Sequence, residues 1–305
     1  MNGAEGTSIA AVVVTYNRKD LLCQCLSSLL AQTYPIDEII VVDNASVDGT
    51  DRMVSENFPQ IMYMRLPENI GGAGGFHKGM QLAYERGNHW IWVMDDDAIP
   101  EKNALENLIS FVGNGSINAY LSLAIDSKDK ASLCWPIKTR RGTIYTLNEL
   151  NEMQLTETLE VDRAPFVGLL VHKDIISHIG LPRSDYFIMC DDVEYSFRMR
   201  SAGYSIKICP KSYIYHPRAD MIFRVGNFKV GRKSTVKHYY SLRNCLYTKM
   251  VYYSCFRFLT LSIPESLARA VLYVFFSHQG TFFERIRLSY KAFRDAFKGD
   301  LGKKI

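Results

Sequence analysis

Apolar residues run unbroken from Ile9 to Val14 and close on Thr15, and a second run, Ile39 to Val42, sits between Glu38 and Asp43. Continuous runs rich in β-branched residues mark strands buried on both faces, unlike the alternation of a half-exposed strand. Between them Leu21, Leu22, Cys25, Leu26, Leu29 and Leu30 repeat at helical spacing until Tyr34-Pro35 stops them. Turn residues from Asn44 to Gly49 lead to a short helix over about Thr50 to Asn57, and Ile61 to Leu66 makes a third strand. A glycine-rich loop then enters a helix over about Phe76 to Arg86, and His89 to Met94 makes a fourth strand ending in Asp95-Asp96-Asp97. This alternation predicts an α/β fold with a mainly parallel central sheet, helices on both faces, and ligands beyond the carboxyl ends of the strands.

Further along, a helix follows Pro100 to about Val112, and the pattern between there and Asp162 does not resolve into elements. Phe166 to Val171 reads as a strand, Asp191 to Ala202 as a helix and Ser205 to Ile208 as a short strand. From Lys237 the chain turns helical, aromatic and basic, with no Gly-Ser linker before it. The expected organisation is therefore a domain over 1–220 and a helical region over 221–305 packed against it.

Charge sharpens that division. The net of +4 hides sixteen Lys+Arg against four Asp+Glu from Met221 to Ile305, a net of +12, while residues 1–220 carry a net of −8. The seven cysteines are odd in number and none is spaced as a C-x-x-C pair, which fits a reducing, cytoplasmic compartment. Met1 to Ser8 lacks the pattern of a secretory signal. The apolar stretch Phe256 to Phe276 is interrupted by Arg257, Pro264, Glu265 and Arg269, so no membrane span is expected.

Polar groups collect where the sheet would gather them. Asp95 and Asp97, first and third past a strand, point to the same side and can share a hard cation such as Mg²⁺ or Mn²⁺ through oxygen. An acidic turn capping the next helix is the plainer account of the same residues. Asn69 precedes Ile-Gly-Gly-Ala-Gly-Gly-Phe76, which lacks the G-x-G-x-x-G spacing and follows the third strand. Its glycines either bring backbone close to a ligand or make a tight connection. Asp191, Asp192 and Glu194 open a helix: adjacent carboxylates raise each other's pKa, making Asp192 a candidate general base, whereas Glu194 fits pairing with Arg198. His216 ends a short apolar run and becomes a candidate ligand beside a carboxylate-bound metal.

In order, Val-Val-Val-Thr15-Tyr-Asn17-Arg18, Val-Val-Asp43-Asn44-Ala-Ser46-Val-Asp-Gly-Thr50, Asn69 with its glycines, Asp95-Asp96-Asp97, Asp191-Asp192 and His216 resemble the inverting glycosyltransferases of family 2, over about residues 9–217. Within that family the chain looks most like bacterial galactofuranosyltransferases: Glu68-Asn-Ile-Gly-Gly-Ala-Gly-Gly-Phe76, Met94-Asp-Asp-Asp97 and Phe187-Ile-x-x-Asp-Asp192 recur there together, with His216 24 positions after Asp192. Rhamnosyltransferases share much of the set. The resemblance implies the GT-A fold and a UDP-sugar donor, with UDP-galactofuranose the first expectation and another dTDP- or UDP-hexose the alternative. It implies that Thr15, Arg18, Asp43, Asn69 and Asp96 hold the nucleotide and diphosphate, that Asp95, Asp97 and His216 bind Mn²⁺ or Mg²⁺, and that Asp192 is the catalytic base with Asp191 supporting it. The implied acceptor is a glycan or a polyprenyl-linked glycan of the bacterial cell surface. Polymerising relatives carry a tryptophan pair where this chain has Phe166-Val-Gly-Leu-Leu170, which leaves acceptor and processivity open.

The basic tail interleaves Lys229, Arg232, Lys233, Lys237, Arg243, Lys249 and Arg257 with Tyr239, Tyr240, Tyr247, Tyr252, Tyr253, Phe256 and Phe258. That composition suits peripheral attachment to an anionic membrane surface, here the inner face of the cell membrane, or packing against the catalytic part or a second copy. Nucleic acid is not expected, because no recognised motif accompanies the charge. A non-catalytic nucleotide-sugar-binding protein would need no base, and this chain keeps Asp192 with every metal candidate.

Overall fold

The computed structural model describes residues 8–113, 117–139, 142–153, 157–218, 221–225, 228–231 and 234–305. The lead-in follows the apolar pattern: β1 (Ile9–Thr15), α1 (Lys19–Leu30), β2 (Glu38–Asp43), α2 (Thr50–Asn57), β3 (Met62–Arg65), α3 (Gly71–Glu85) and β4 (Trp90–Asp95). Every residue of β1 is buried, and successive residues serve opposite faces. Ala10, Val12 and Val14 pack with Phe76, Met80 and Ala83 of α3, while Ile9, Ala11 and Val13 pack with Leu22, Leu26 and Leu29 of α1. Two-sided burial is why the run is apolar throughout.

The glycine-rich stretch expected as a loop is the first turn of α3. Glycine is a poor helix former, and here close packing overrides propensity. A Cβ on Gly75 would lie 2.5 Å from Val14 Cγ1, and one on Gly79 2.4 Å from Val12 Cγ1, so the helix seats against β1 only because these positions are bare.

The chain continues through β5 (Ile99–Pro100), α4 (Ala104–Ile109), β6 (Ala119–Asp126), β7 (Ser132–Thr139), β8 (Gly142–Thr146), α5 (Leu147–Glu152), β9 (Leu159–Val161), β10 (Leu169–His172), α6 (Lys173–Ile179), α7 (Asp191–Ser201) and β11 (Ile206–His216). The sheet order is β3-β2-β1-β4-β10-β6-β11-β5. β1, β2, β3 and β4 are mutually parallel, and β6 and β11 share their direction because antiparallel β10 lies between β4 and β6. The chain moves outward from β1 to β3 and returns on the other side to β4, so β1 and β4 flank the switch point where such sheets bind ligands. The short strand expected at Ser205 to Ile208 extends through a register shift between Cys209 and Tyr213 to His216. Its last residues pair antiparallel with β5, Tyr215 opposite Ile99, two residues beyond Asp97.

After the hairpin β12 (Met221–Val225) and β13 (Phe228–Gly231) come α8 (Thr235–Tyr252), α9 (Cys255–Arg257), a π-helical turn (Phe258–Ser262), α10 (Ile263–Phe276) and α11 (Phe282–Lys298). Arg232 and Lys233 lie outside the described residues. Despite its charges and proline, Cys255–Phe276 forms one helical segment that is, by length and composition alone, long and apolar enough to cross a bilayer. Cys190 and Cys245, 55 residues apart, are joined as a disulfide.

Candidate active site

Two chain segments meet beyond the carboxyl ends of β1 and β4. Asp95 closes β4, Asp97 follows, and His216 closes β11; one ligand atom from each lies within 4.8 Å of the others. The β5–β11 pairing brings this about, fixing the end of β11 beside the turn that carries Asp97. His216 Nε2 sits 3.2 Å from Asp97 Oδ1. Asp97 Oδ1 is buried against that imidazole nitrogen, and His216 Nδ1 is buried without a hydrogen-bond partner. A buried polar atom without a partner is costly, and carboxylate oxygens clustered with an imidazole are donors that fit a divalent cation.

Electrostatics agree. Burial, with Asp97 next, pushes Asp95 up to about 8. Burial would raise Asp97 too, but His216 and Arg18 outweigh it and hold that carboxyl below its ordinary range. His216 is raised because Asp97 and Asp95 overcome burial. The cluster concentrates negative charge that its single imidazole only partly offsets, and a cation would relieve it.

Thr15 Oγ1 donates to Asp96 Oδ2 at 2.8 Å, and Arg18 reaches Asp96 at 3.1 Å and Asp97 at 2.9 Å. Thr15, Arg18 and Asp96 thus form one unit against the carboxylate cluster, with the Arg18 head partly in solvent. Asp43 is fully buried, accepting from Ser46 N and Oγ on one oxygen and Tyr63 OH on the other. Its carboxylate braces the turn after β2. Asn69 Oδ1 accepts from Gly71 N at 2.8 Å, and its carbonyl accepts from Lys303 Nζ at 3.2 Å. Asn69 lines a cavity of about 430 Å³ that also touches His77, Ser184, Phe187 and Lys303.

Asp191 and Asp192 open α7. Burial raises both carboxyls, and Asp192 adds to the rise at Asp191, while the Val193 N–H and Arg163 oppose the shift at Asp192. The charge of Asp191 bears on Asp95, which brings the start of α7 within electrostatic reach of the metal candidates. Glu194 pairs with Arg198 at 2.8 Å and accepts from Tyr252 OH at 2.6 Å, so it is fully employed in structure.

The loop entering α7 has unusual backbone. Phe187, Met189 and Cys190 all have positive φ, at 64°, 72° and 64°, each costing roughly 1–3 kcal/mol outside glycine. Two fully buried residues of α8 hold it there. Asn244 Nδ2 donates to the carbonyls of Tyr186, Ile188 and Met189, and Arg243 donates to Tyr186 O and Gly302 O. From the other side Ala73 N donates to Phe187 O at 3.1 Å, an approach open only because Gly71 has no Cβ.

Sequence reasoning passed over Asn244, and also Trp135, whose half-exposed ring lies 5.2 Å from that of His216. Trp135 falls in the stretch whose elements did not resolve, and Asn244 in a basic aromatic helix whose pattern says nothing of one buried amide.

The profile of glycosyl transferase family 2 matches residues 10–172. Galactofuranosyltransferase GlfT1 of Mycobacterium tuberculosis is 32% identical over 215 residues, 69% of this chain and 70% of the relative. The dTDP-rhamnosyl transferase RfbF of Shigella flexneri is 23% identical over 251 residues, 78% of each chain. Among solved structures, GalNAc-T7 with UDP, GalNAc and Mn²⁺ superposes with a TM-score of 0.62 at 14% identity, over 97% of this chain and 57% of that one. The fold is that of the GT-A glycosyltransferases, and the chain belongs to glycosyl transferase family 2.

Proposed function

We propose that the protein is an inverting, divalent-metal-dependent hexosyltransferase that moves galactofuranose from UDP-galactofuranose to a hydroxyl of a glycan or polyprenyl-linked glycan in the cytoplasm. Support for the donor comes from galactofuranosyltransferases at about 30% identity over some 70% of the chain. The likeness to RfbF keeps a dTDP- or UDP-hexose as the second reading.

Asp95, Asp97 and His216 would hold Mn²⁺ or Mg²⁺, and the observation that carries the reading is the convergence of two carboxylates and an imidazole on one point. A cation held there supplies positive charge to the departing diphosphate. Arg18, anchored by Asp96, extends a guanidinium from the same corner toward the diphosphate. Asp43 braces the nucleotide-side turn, and Asn69 shapes the start of α3. Asp192 accepts the proton of the acceptor hydroxyl as that oxygen attacks the anomeric carbon from the face opposite the leaving group, giving inversion in one displacement. Asp191 would support that base or touch the acceptor. A UDP-release screen over a panel of sugar nucleotides with Mn²⁺ tests the reading; turnover of UDP-galactofuranose is expected, and turnover of a dTDP-hexose alone would replace the donor.

A further inference from the structure

Among the described residues, twelve of the twenty-one exposed large apolar side chains lie between Phe256 and Phe297. All twelve lie on two consecutive helical segments. Cys255–Phe276 and α11 form an antiparallel hairpin, with Phe258 against Phe297 at one end (ring centroids 6.3 Å) and Phe275 against Phe282 at the other (5.7 Å). Inward faces are taken up by the protein: Tyr273 stacks on His238 of α8 at 3.5 Å, and Leu288, Ala292 and Ala296 of α11 are buried. Outward, Leu267, Val271 and Phe275 recur at four-residue spacing on α10, and Phe283, Ile286 and Tyr290 line α11, Phe283 being 81% exposed. A monomer rarely leaves such a contiguous patch to water.

Charge identifies what covers it. From Cys255 to Lys298 there are seven Lys+Arg against three Asp+Glu. All three acids are engaged within the protein: Glu265 with Lys249 and Arg269, Asp295 with Arg294 and Tyr239, and Glu284 in the cap of α11. Arg287 and Lys298 are exposed beside the apolar stripe. A second copy seated on this face would bring like charges together, since a two-fold contact pairs a patch with itself. Crossing the bilayer would carry Glu265 and Arg269 into hydrocarbon and strip α10 from Lys249 and His238. The geometry points to an in-plane membrane-binding face, in which the α10–α11 hairpin sinks its apolar stripe among anionic lipids while Arg287 and Lys298 meet their headgroups. The inference does not depend on the identity of the donor sugar.

Flotation of the full chain with phosphatidylcholine vesicles, with or without phosphatidylglycerol, tests it. Binding is expected to the anionic vesicles, to weaken at high salt, and to fall by about tenfold or more when Leu267, Val271 and Phe275 are all changed to Gln. These side chains are exposed, so melting temperature and donor hydrolysis should persist. If that variant folds poorly, Arg287→Glu with Lys298→Glu alters only exposed cations and should abolish the preference for anionic vesicles. Failure of the wild-type chain to float with either vesicle would overturn the inference. So would unchanged flotation of a folded triple variant, or light scattering that shows the stripe to hold a dimer with no vesicle binding.

Discussion

Asn244 donates to the carbonyl of Met189 at 2.8 Å, joining α8 to the backbone that delivers Asp191 and Asp192. The same amide nitrogen serves Tyr186 O and Ile188 O, so one side chain holds a loop with three left-handed residues. Asn244→Ala would leave those acceptors short of a donor, at about 1–3 kcal/mol each if unsatisfied. The expected result is a fall in kcat of about tenfold or more with donor KM little changed, because the metal corner is built from other elements. Steady-state kinetics with a melting curve check it; a shift in melting temperature with kcat intact would make the residue purely structural.

Asp192→Asn preserves shape and removes the proposed proton acceptor. Turnover should drop by about 10²- to 10⁴-fold, with UDP binding by calorimetry near normal. Near wild-type turnover would sink the base assignment.

The pH profile follows from the same carboxylate. Burial raises Asp192, so the ionised base is lost at higher pH than for an ordinary aspartate. The rate is expected to rise with pH through that raised value and then level off, and stability falls over the same window because the folded state holds its proton more tightly than the unfolded. A profile of kcat/KM flat into the ordinary carboxylate range would contradict this.

Asp97→Ala removes one metal candidate and a partner of Arg18. Calorimetric binding of UDP should lose its enhancement by Mn²⁺ and keep the weaker metal-free component. Retention of the full enhancement would move the metal elsewhere.

Two glycines of α3 separate packing from propensity. Gly75→Ala forces a methyl against Val14, an overpacking cost of about 1–3 kcal/mol that should exceed the helix-propensity gain of about 1 kcal/mol, whereas a Cβ on Gly72 meets nothing within 4 Å. Thermal denaturation should therefore show Gly75→Ala below wild type and Gly72→Ala at or above it.

The sequence made β1, β2, α1 and α2 legible because two-sided burial leaves unbroken apolar runs and one-sided burial leaves helical spacing. It misled at Gly71, where packing overrode propensity, and at Ser205, where a register shift disguised one strand as two runs. Asp95, Asp97 and His216 were recoverable as a set because each sits at a strand end in a recurring order. Arg243 and Asn244 were not: their partners are backbone carbonyls some 55 residues away, and a carbonyl carries no side-chain signature.

The ties of the Tyr186 to Met189 backbone to Asn244, and of Arg243 to Gly302, set an order of assembly on a ribosome. β1 to β11 can condense while the rest of the chain is still being synthesised, since domains fold as their sequence emerges. The loop before Asp191 is locked only after the polypeptide beyond position 244 has been released, so a nascent chain halted earlier would bring Asp95, Asp97 and His216 together without a fixed start to α7.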